Sequence, residues 1–357
     1  MKEQIFKKLK IKSITLKNRF VVSPMCQYSS RNGNPIKWHY NHLLKLANSG
    51  AGLLMIEATA VSKKGKITHS DMSLTNVENF KNLKKLTNFI KKNSDTKIGL
   101  QISHSGRKGS AELPWVKPNT SLKNRSWKTH SASSIKKEFN WPYPKEMTLV
   151  DIENIKSSFL KASKYSKKLK LDCLELHMAH GYLLHQFFSP ISNKRTDAYG
   201  GSRQNRSRFL LEIAKIVRAN WPKNRILGAR ITGKDWIKGG LTIKDSIYLT
   251  KKLQNIGFDY VCVSSGGLVS KTDFKPKPNF NYELAKVIKK NCKIKVRVGG
   301  MIEDINFAKK IINKNEVDLI SNARKYIYEP NFILKELSNL DPKNKIVPNQ
   351  YRRCYKI

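Results

Sequence analysis

Eight short apolar runs, separated by longer amphipathic stretches, set the strongest limit on how this chain can fold. The runs have the length and branched aliphatic content of buried strands, and the stretches between them repeat hydrophobic residues with helical spacing. Buried strands alternating with helices at short loop lengths predict an α/β fold, here a (β/α)8 TIM barrel in one domain over residues 1–357. The predicted strands are Arg19–Val22, Leu53–Ile56, Ile98–Ile102, Leu171–Leu176, Ile226–Ile231, Tyr260–Val263, Lys295–Val298 and Val317–Ile320.

The segments outside the strands carry two further signals. Thr148 with Asp151, and Thr242 with Asp245, have the spacing of capping boxes, in which each side chain bonds the backbone N–H of the other residue at a helix start. Residues 103–144 form the longest stretch without a period, which indicates a functional loop or cap. Residues 341–357 form a C-terminal tail.

One stretch, LELHMAHGYLLHQFFSPISNKRTDAYGGSRQNRSR, concentrates imidazoles, a phenol and glycines behind a predicted strand. His177, His180 and Tyr182 would lie where that strand ends, which is the catalytic face of an α/β barrel. Two imidazoles can donate to a substrate oxygen and a phenol can supply a proton, a set that suits enolate chemistry. The pair also fits a metal site, or two loop histidines with structural partners. His185 and Asp197 lie nearby, but at no recognisable ligand spacing.

The Old Yellow Enzyme family of FMN-dependent ene-reductases is the one that this stretch resembles, in the class III branch, which carries a His pair at this place. The resemblance runs almost unbroken through HMAHGYLLHQFFSPISNKRTDAYGGSRQNRSRF, and SHSGRKGSAELPW and SWKTHSASSI resemble a second segment of the branch. Ala132 stands where that segment has proline. The resemblance implies FMN as cofactor, NADPH or NADH as reductant, and ping-pong reduction of the C=C bond of enones, with nitro compounds as a further class.

The resemblance also assigns roles around the substrate. It implies that His177 and His180 hydrogen-bond the carbonyl oxygen and stabilise the enolate, while Tyr182 protonates the α-carbon after hydride has reached the β-carbon from the flavin. Tyr28 is expected to orient the substrate. The ending QYRRCYKI resembles the branch's C-terminal motif, whose arginine reaches the site of a neighbouring subunit. This implies that role for Arg353, and a homodimer or a dimer of dimers.

The flavin ring is expected to lie across the ends of several strands, where the chain matches the family's cofactor positions. Arg230 would place fixed positive charge beside the pyrimidine half of the ring. Cys26 is expected to tune the potential of the flavin through its sulfur, and not to act as a nucleophile. The positions assigned to the ring are Ser23, Pro24, Met25, Cys26, Ala58, Gln101 and Arg230.

The phosphate of FMN is expected at the loops after the last two strands, where backbone N–H groups and a helix start converge. VRVGGMI and NARKYIYEPNF occupy those places and assign Gly299, Gly300, Ala323 and Arg324 to phosphate binding. Gly299 departs from the family, which often has valine there, and Ala323 stands where glycine usually precedes the arginine. Because alanine tolerates positive φ poorly, Ala323 is expected to alter the grip on the phosphate.

The charge of the chain opens two alternatives. With 69 Lys+Arg against 26 Asp+Glu, the net charge is +43, which would suit a polyanionic partner. A tRNA dihydrouridine synthase-like enzyme and a non-enzymatic polyanion-binding protein are therefore the competing functions. A metal-dependent barrel hydrolase is a separate alternative, which would need more carboxylates at the strand ends than this acid-poor chain has. The basic residues, however, occur as scattered doublets on predicted helices, which indicates solvated helix faces. A specific nucleic-acid partner is not expected.

The remaining composition predicts a cytoplasmic protein. No apolar run is long enough to span a membrane, and the first residues, MKEQIFKKLK, have no apolar core of a signal peptide. The 5 cysteines are scattered and show no CxxC spacing, so neither a disulfide framework nor a zinc site is expected.

Overall fold

A closed barrel of eight parallel strands forms the centre of the computed structural model, which describes residues 3–270, 272, 274–341 and 343–354. The first barrel strand pairs with the last, and each strand is followed by at least one helix, which confirms the predicted (β/α)8 barrel. The barrel consists of β3–β5 and β8–β12. The strands are β1 (Leu9–Ile11), β2 (Ile14–Leu16), β3 (Phe20–Val22), β4 (Leu53–Ala60), β5 (Lys97–Ser103), β6 (His130–Ser131), β7 (Lys145–Glu146), β8 (Cys173–Met178), β9 (Ile226–Thr232), β10 (Tyr260–Ser264), β11 (Lys295–Val298) and β12 (Leu319–Asn322).

The helices pack outside the barrel, and their starts carry the predicted caps. The Thr148–Asp151 capping box is confirmed: the N–H of Asp151 donates to Thr148 Oγ1 at 3.1 Å, and the N–H of Thr148 donates to Asp151 Oδ2 at 3.0 Å. At the second pair the N–H of Thr242 donates to Asp245 Oδ2 at 2.8 Å, whereas the N–H of Asp245 donates to the carbonyl oxygen of Thr242, so one half of that box is present. The helices are α1 (Lys37–Ala47), α2 (Val77–Asn93), α3 (Leu149–Lys168), α4 (Leu183–Phe188), α5 (Arg203–Asn220), α6 (Ile243–Ile256), α7 (Tyr282–Asn291), α8 (Ile305–Asn313), α9 (Arg324–Tyr328) and α10 (Phe332–Leu340).

A hairpin of β1 and β2 covers one mouth of the barrel. Leu9, Ile11 and Leu16 of the hairpin share a buried cluster with Leu53 and Leu319, the first residues of β4 and β12. Because these barrel residues begin their strands, the hairpin closes the N-terminal mouth. The opposite mouth, where the strands end, is left for the site.

The long segment after β5 contacts the loops at that C-terminal mouth. It contains a 3-10 turn, Gly106–Lys108, and the strand β6, which pairs with β7. Arg107 donates to the carbonyl of Leu268 at 3.2 Å, and Lys108 donates to the carbonyls of His180 and Gly267 at 2.8 and 3.1 Å. These bonds tie the segment to the loops after β8 and β10. No helix of the described ranges is both long and apolar enough to cross a membrane.

Candidate active site

Two imidazoles face each other at the end of β8. His177, the penultimate residue of the strand, is 3% exposed, and its Nδ1 accepts the N–H of Ala179 at 3.2 Å. The proton of the neutral ring therefore lies on Nε2, which is 3.3 Å from His180 Nδ1. His180 Nε2 lies 2.6 Å from the hydroxyl of Ser264. In the part of the chain that the structure describes, no group of three His, Cys, Asp or Glu side chains could hold a metal ion.

The surroundings keep both imidazoles neutral. Burial lowers the pKa of His177 and of His180 well below the usual value, and the nearby positive charges of Arg230 and Lys108 act in the same direction. A neutral imidazole keeps one N–H, which can donate a hydrogen bond to a substrate oxygen. The pair is thus prepared to bind an oxygen on which negative charge develops.

A phenol completes the cluster. The ring of Tyr182 lies 4.6 Å from that of His177, nearly perpendicular at 83°. Burial raises the pKa of Tyr182 well above its usual value, so the phenol stays protonated and can act as a proton source. The ammonium of Lys108 lies 5.2 Å from the centre of the Tyr182 ring. Burial also lowers the pKa of Lys108, to about 7.

Backbone geometry places these side chains. His180 and Gly181 both have positive φ, 57° and 71°, and a Cβ on Gly181 would lie 2.3 Å from the carbonyl oxygen of Gly267. Only glycine fits that approach. The N–H of Gly181 donates to His185 Nδ1 at 2.8 Å, and His185 Nε2 lies 2.8 Å from Asp235 Oδ1. The buried pair of His185 and Asp235 therefore supports the loop that contains His180 and Gly181.

The loop after β3 runs along the same mouth. Ser23 is buried and shares a hydrogen bond of 2.7 Å with Ser321, while Pro24, Met25 and Cys26 follow it as partly buried residues. Burial raises the pKa of Cys26 well above its usual value, which favours the thiol over a reactive thiolate.

Tyr28, further along that loop, has φ of 46°. Its ring lies edge-on to Trp115 of the long segment, with 6.2 Å between the ring centres. Tyr28 is thus held between two loops of this mouth, where an orienting residue is expected.

The residues expected at the flavin ring lie on adjacent strands. Ala58 and Gln101 are buried partners in the register of β4 and β5, and Arg230 on β9 lies opposite His177 on β8. Arg230 Nε is buried and has no hydrogen-bond partner among the residues described. A buried guanidinium N–H without an acceptor is costly, so it fits an electron-rich ring edge that would supply one.

The residues expected at the phosphate surround a cavity of about 240 Å³. The N–H groups of Gly299, Gly300 and Ala323 donate to no backbone carbonyl within the described chain, which leaves them for an anion. Together with the side chain of Arg324 they fit a phosphate, and the serines fit a ribityl chain. The cavity is lined by Ser23, His180, Arg230, Ser264, Ser265, Phe280, Asn281, Gly299, Gly300, Met301, Glu303, Ser321, Asn322, Ala323, Arg324 and Lys325.

One expectation about this cavity is wrong. Ala323 was expected to alter the phosphate grip through an unfavourable positive φ, but its φ is −116°, and it is the residue that precedes helix α9. Any L-residue adopts that angle, so alanine at this position carries no strain of that kind. The positive φ angles of this region fall on Gly300 and Met301 instead, at 122° and 57°.

Arg353 lies apart from this cluster. It is exposed on a C-terminal 3-10 helix, Asn349–Cys354, and makes no hydrogen bond to the cluster within the described ranges. The site of a single chain therefore forms without it, and its role at a subunit boundary stays a prediction.

Two side chains at this mouth were not predicted from the sequence. Ser264 ends β10, and its hydroxyl contacts His180; Lys108 packs over Tyr182 from the long segment. Ser264 could have been found as the first polar residue after the apolar run VCV. Lys108 could not, because nothing in its sequence neighbourhood indicates burial.

Several known proteins are similar to this chain in sequence and fold. The model of the NADH:flavin oxidoreductase / NADH oxidase family matches residues 4–342. An NADPH dehydrogenase of Clostridium acetobutylicum is 34% identical over 99% of each chain. An NADPH dehydrogenase of Bacillus cytotoxicus is 36% identical, over 99% of this chain and 97% of that one.

Solved structures agree on the barrel. A 2-naphthoyl-CoA reductase in complex with 2-naphthoyl-CoA has a TM-score of 0.86 at 25% identity; the match covers 95% of this chain but only 53% of that one, so this chain spans about half its length. Morphinone reductase in complex with tetrahydroNAD has a TM-score of 0.76 at 22% identity, covering 93% of this chain and 89% of that one, which shows the fold. The family match and the near full-length relatives together show that this chain belongs to the NADH:flavin oxidoreductase / NADH oxidase family, as an oxidoreductase whose cofactors are FMN and NAD(P)H.

Proposed function

We propose that the chain reduces the C=C bond of α,β-unsaturated carbonyl compounds with electrons from NADPH or NADH. The observation that carries this is the grouping of two neutral imidazoles and a protonated phenol, His177, His180 and Tyr182, beside the unpaired guanidinium N–H of Arg230. When bound, FMN supplies hydride transfer from the nicotinamide to the flavin and, after exchange of ligands, from the flavin to the alkene.

The imidazoles would bind the carbonyl oxygen of the substrate. His177 carries its proton on Nε2, directed toward the space shared with His180, and neither ring is charged. As the alkene accepts hydride, negative charge moves onto that oxygen, and fixed N–H donors stabilise it more strongly than the uncharged carbonyl. Such a donor contributes roughly 3–4 kcal/mol to lowering a barrier of this type.

Tyr182 would deliver the proton to the α-carbon. Its phenol is held against His177 and keeps its proton at neutral pH because burial disfavours the phenolate. Lys108 lies over the ring and favours the phenolate that forms as the proton leaves. Tyr28 would orient the substrate from the facing loop.

Arg353 of a second copy would complete the site. This part of the proposal predicts a homodimer or a dimer of dimers, in which the exposed 3-10 helix Asn349–Cys354 reaches the neighbouring mouth. Full activity of a chain that stops before Tyr351 would remove this role and leave the rest of the proposal standing.

A sequential spectral titration tests the reaction. The purified protein with bound FMN is reduced anaerobically by NADPH, which bleaches the flavin band, and cyclohexenone is then added. Return of the band with formation of cyclohexanone is the expected result. A band that returns only with transfer RNA would favour the dihydrouridine synthase-like alternative, which the net charge of +43 suggests. A band that returns with neither would contradict the proposal.

A further inference from the structure

A charged network lies inside the barrel, one layer below His177. Glu175 and His177 are two residues apart on β8, so their side chains point to the same side of the strand, with Glu175 further from the mouth. Glu175 and Arg297 are both 0% exposed and form an ion pair through Glu175 Oε2. Tyr260 donates to the same oxygen at 2.6 Å, and Arg297 Nη1 donates to the Tyr260 hydroxyl at 3.3 Å.

Because Arg297 and Tyr260 both bond Oε2 of Glu175, the other carboxylate oxygen, Oε1, is available to another donor. Gln101 Nε2 donates to Glu175 Oε1 at 2.7 Å, across the register pair that joins β5 to β8. A carboxylate can only accept hydrogen bonds. The amide nitrogen of Gln101 must therefore face Glu175, which fixes which way round the amide lies.

The ion pair is what keeps that acceptor in place. A buried carboxylate without a partner would take up a proton, and a protonated Glu175 could donate to the amide oxygen and turn Gln101 round. Arg297 carries a permanent positive charge and supplies the counter-ion. Tyr260 satisfies a further lone pair of the same carboxylate.

The other end of the amide is open. Gln101 Oε1 has no hydrogen-bond partner among the described residues, and Gln101 is one of the positions assigned to the flavin ring. The oxidised isoalloxazine ring has a single N–H group, at N3, so an amide that presents oxygen matches it, whereas one that presented nitrogen would place donor against donor.

We propose that Glu175 is a positioning residue for the cofactor: it fixes Gln101 so that the amide oxygen accepts the N3–H of FMN. Arg297 acts through Glu175, as its counter-ion. The inference rests on FMN lying at this mouth with Gln101 at its ring, as the family resemblance implies, and not on the proposed substrate.

NMR of FMN labelled with ¹⁵N at N3 tests this directly. In the wild-type protein the N3–H signal should lie downfield of free FMN and exchange slowly with water. In Glu175→Gln/Arg297→Met both buried charges are removed together, so the net charge of the network is unchanged while the amide is free to turn. Exchange of N3–H should accelerate about fivefold or more, the change expected on loss of one neutral hydrogen bond.

Tyr260→Phe is the matched control. It removes a bond to Glu175 Oε2 but leaves the contact between Gln101 and Oε1, so N3–H exchange should stay within about twofold of wild type, because the amide bond itself is kept. Acceleration as large as in the double variant would show that any damage to the network has this effect, and would overturn the specific role of Glu175.

A second variant covers the case in which the double variant does not fold. Gln101→Met in the otherwise native chain removes the acceptor and keeps the ion pair, so it should lose the N3–H protection while still binding FMN. Unchanged protection in this variant, or a wild-type N3–H that exchanges as in free FMN, overturns the inference. A wild-type protein with protected N3–H that fails to reoxidise with cyclohexenone would contradict the proposed function and leave this inference intact.

Discussion

Three histidines between the end of β8 and helix α4, His177, His180 and His185, have contrasting surroundings. His185 is 0% exposed, with Nδ1 accepting the N–H of Gly181 and Nε2 facing the carboxylate of Asp235 at 2.8 Å. His177 and His180 have no carboxylate partner within the described chain; they face each other at 3.3 Å, beside the positive charges of Arg230 and Lys108. The first arrangement holds a loop, and the second is available to a ligand.

The difference separates the interpretations that the sequence left open. Two of these were a catalytic pair and loop histidines with structural partners, and the molecule contains both kinds in one stretch. His185 is the histidine with structural partners. A histidine whose two nitrogens both have close hydrogen-bond partners, one of them a carboxylate, supports the structure. A buried histidine whose N–H has only a long hydrogen bond can donate that N–H to a ligand.

Asp235→Ala should have the largest effect, and on stability. Asp235 is 1% exposed and also accepts from Ser189 at 2.7 Å and from the N–H of Leu241 at 2.8 Å, so its removal leaves three buried donors without an acceptor. The free energy of unfolding should fall by about 3–5 kcal/mol. Urea denaturation followed by circular dichroism measures it.

Asp235→Asn is the matched control for that prediction. The asparagine keeps one oxygen for His185 but presents an NH2 group to the other donors, so the loss should be clearly smaller than in Asp235→Ala. Equal losses would mean that packing, and not the acceptor, is what Asp235 contributes.

His177→Ala should have the second largest effect, and on turnover. The variant lacks one of the two N–H donors proposed for the enolate oxygen, so kcat/KM for cyclohexenone should fall roughly 100- to 1000-fold. FMN content and reduction by NADPH should change little, and the free energy of unfolding by less than about 2 kcal/mol. Stopped-flow measurement of the two half-reactions separates these effects. If Asp235→Ala and His177→Ala were indistinguishable in stability and turnover, the contrast between the two surroundings would be wrong.

Tyr182→Phe should slow the same half-reaction by roughly 100-fold, the size expected for loss of a positioned acid. The phenyl ring keeps the contact with His177 at 4.6 Å, so substrate binding should be preserved. Reoxidation of the reduced enzyme by cyclohexenone is the measurement. A phenylalanine variant that is as fast as wild type would assign the proton to water or to another residue.

The barrel could be predicted from the sequence because its strands are continuous apolar runs, which only burial on both faces explains. The hairpin over the N-terminal mouth was not predicted, although Leu9, Ile11, Ile14 and Leu16 alternate with polar residues as a half-buried hairpin does. Its strands are only 3 residues long, too short for the period to stand out.

The site was predictable where residues stand close together in the chain, as His177, His180 and Tyr182 do. It was not predictable where partners come from distant strands: Glu175 meets Arg297 across 122 positions, and His180 meets Ser264 across 84. A buried charge such as Arg297 also contradicts the usual meaning of arginine in a sequence, and only its counter-ion explains it.

The pH dependence of stability gives the smallest expected effect. Burial holds the pKa of His177 well below about 6.5, the value in the unfolded chain, so below that pH the unfolded state binds a proton that the folded state does not. The contribution of each such histidine is therefore complete above about pH 6.5 and falls as the pH is lowered, by about 1.4 kcal/mol per pH unit. Burial raises the pKa of Asp235, but His185 and the other hydrogen-bond donors to this carboxylate together lower it by more, so the pKa lies below its usual value of 3.8. The contribution of Asp235 to stability is therefore lost only when the pH falls below about 3.8. We expect the free energy of unfolding, measured by urea denaturation between about pH 7.5 and 5, to fall less steeply with decreasing pH in His177→Asn than in the wild type, by the contribution of one histidine. An unchanged pH dependence would mean that the surroundings of His177 do not keep it neutral.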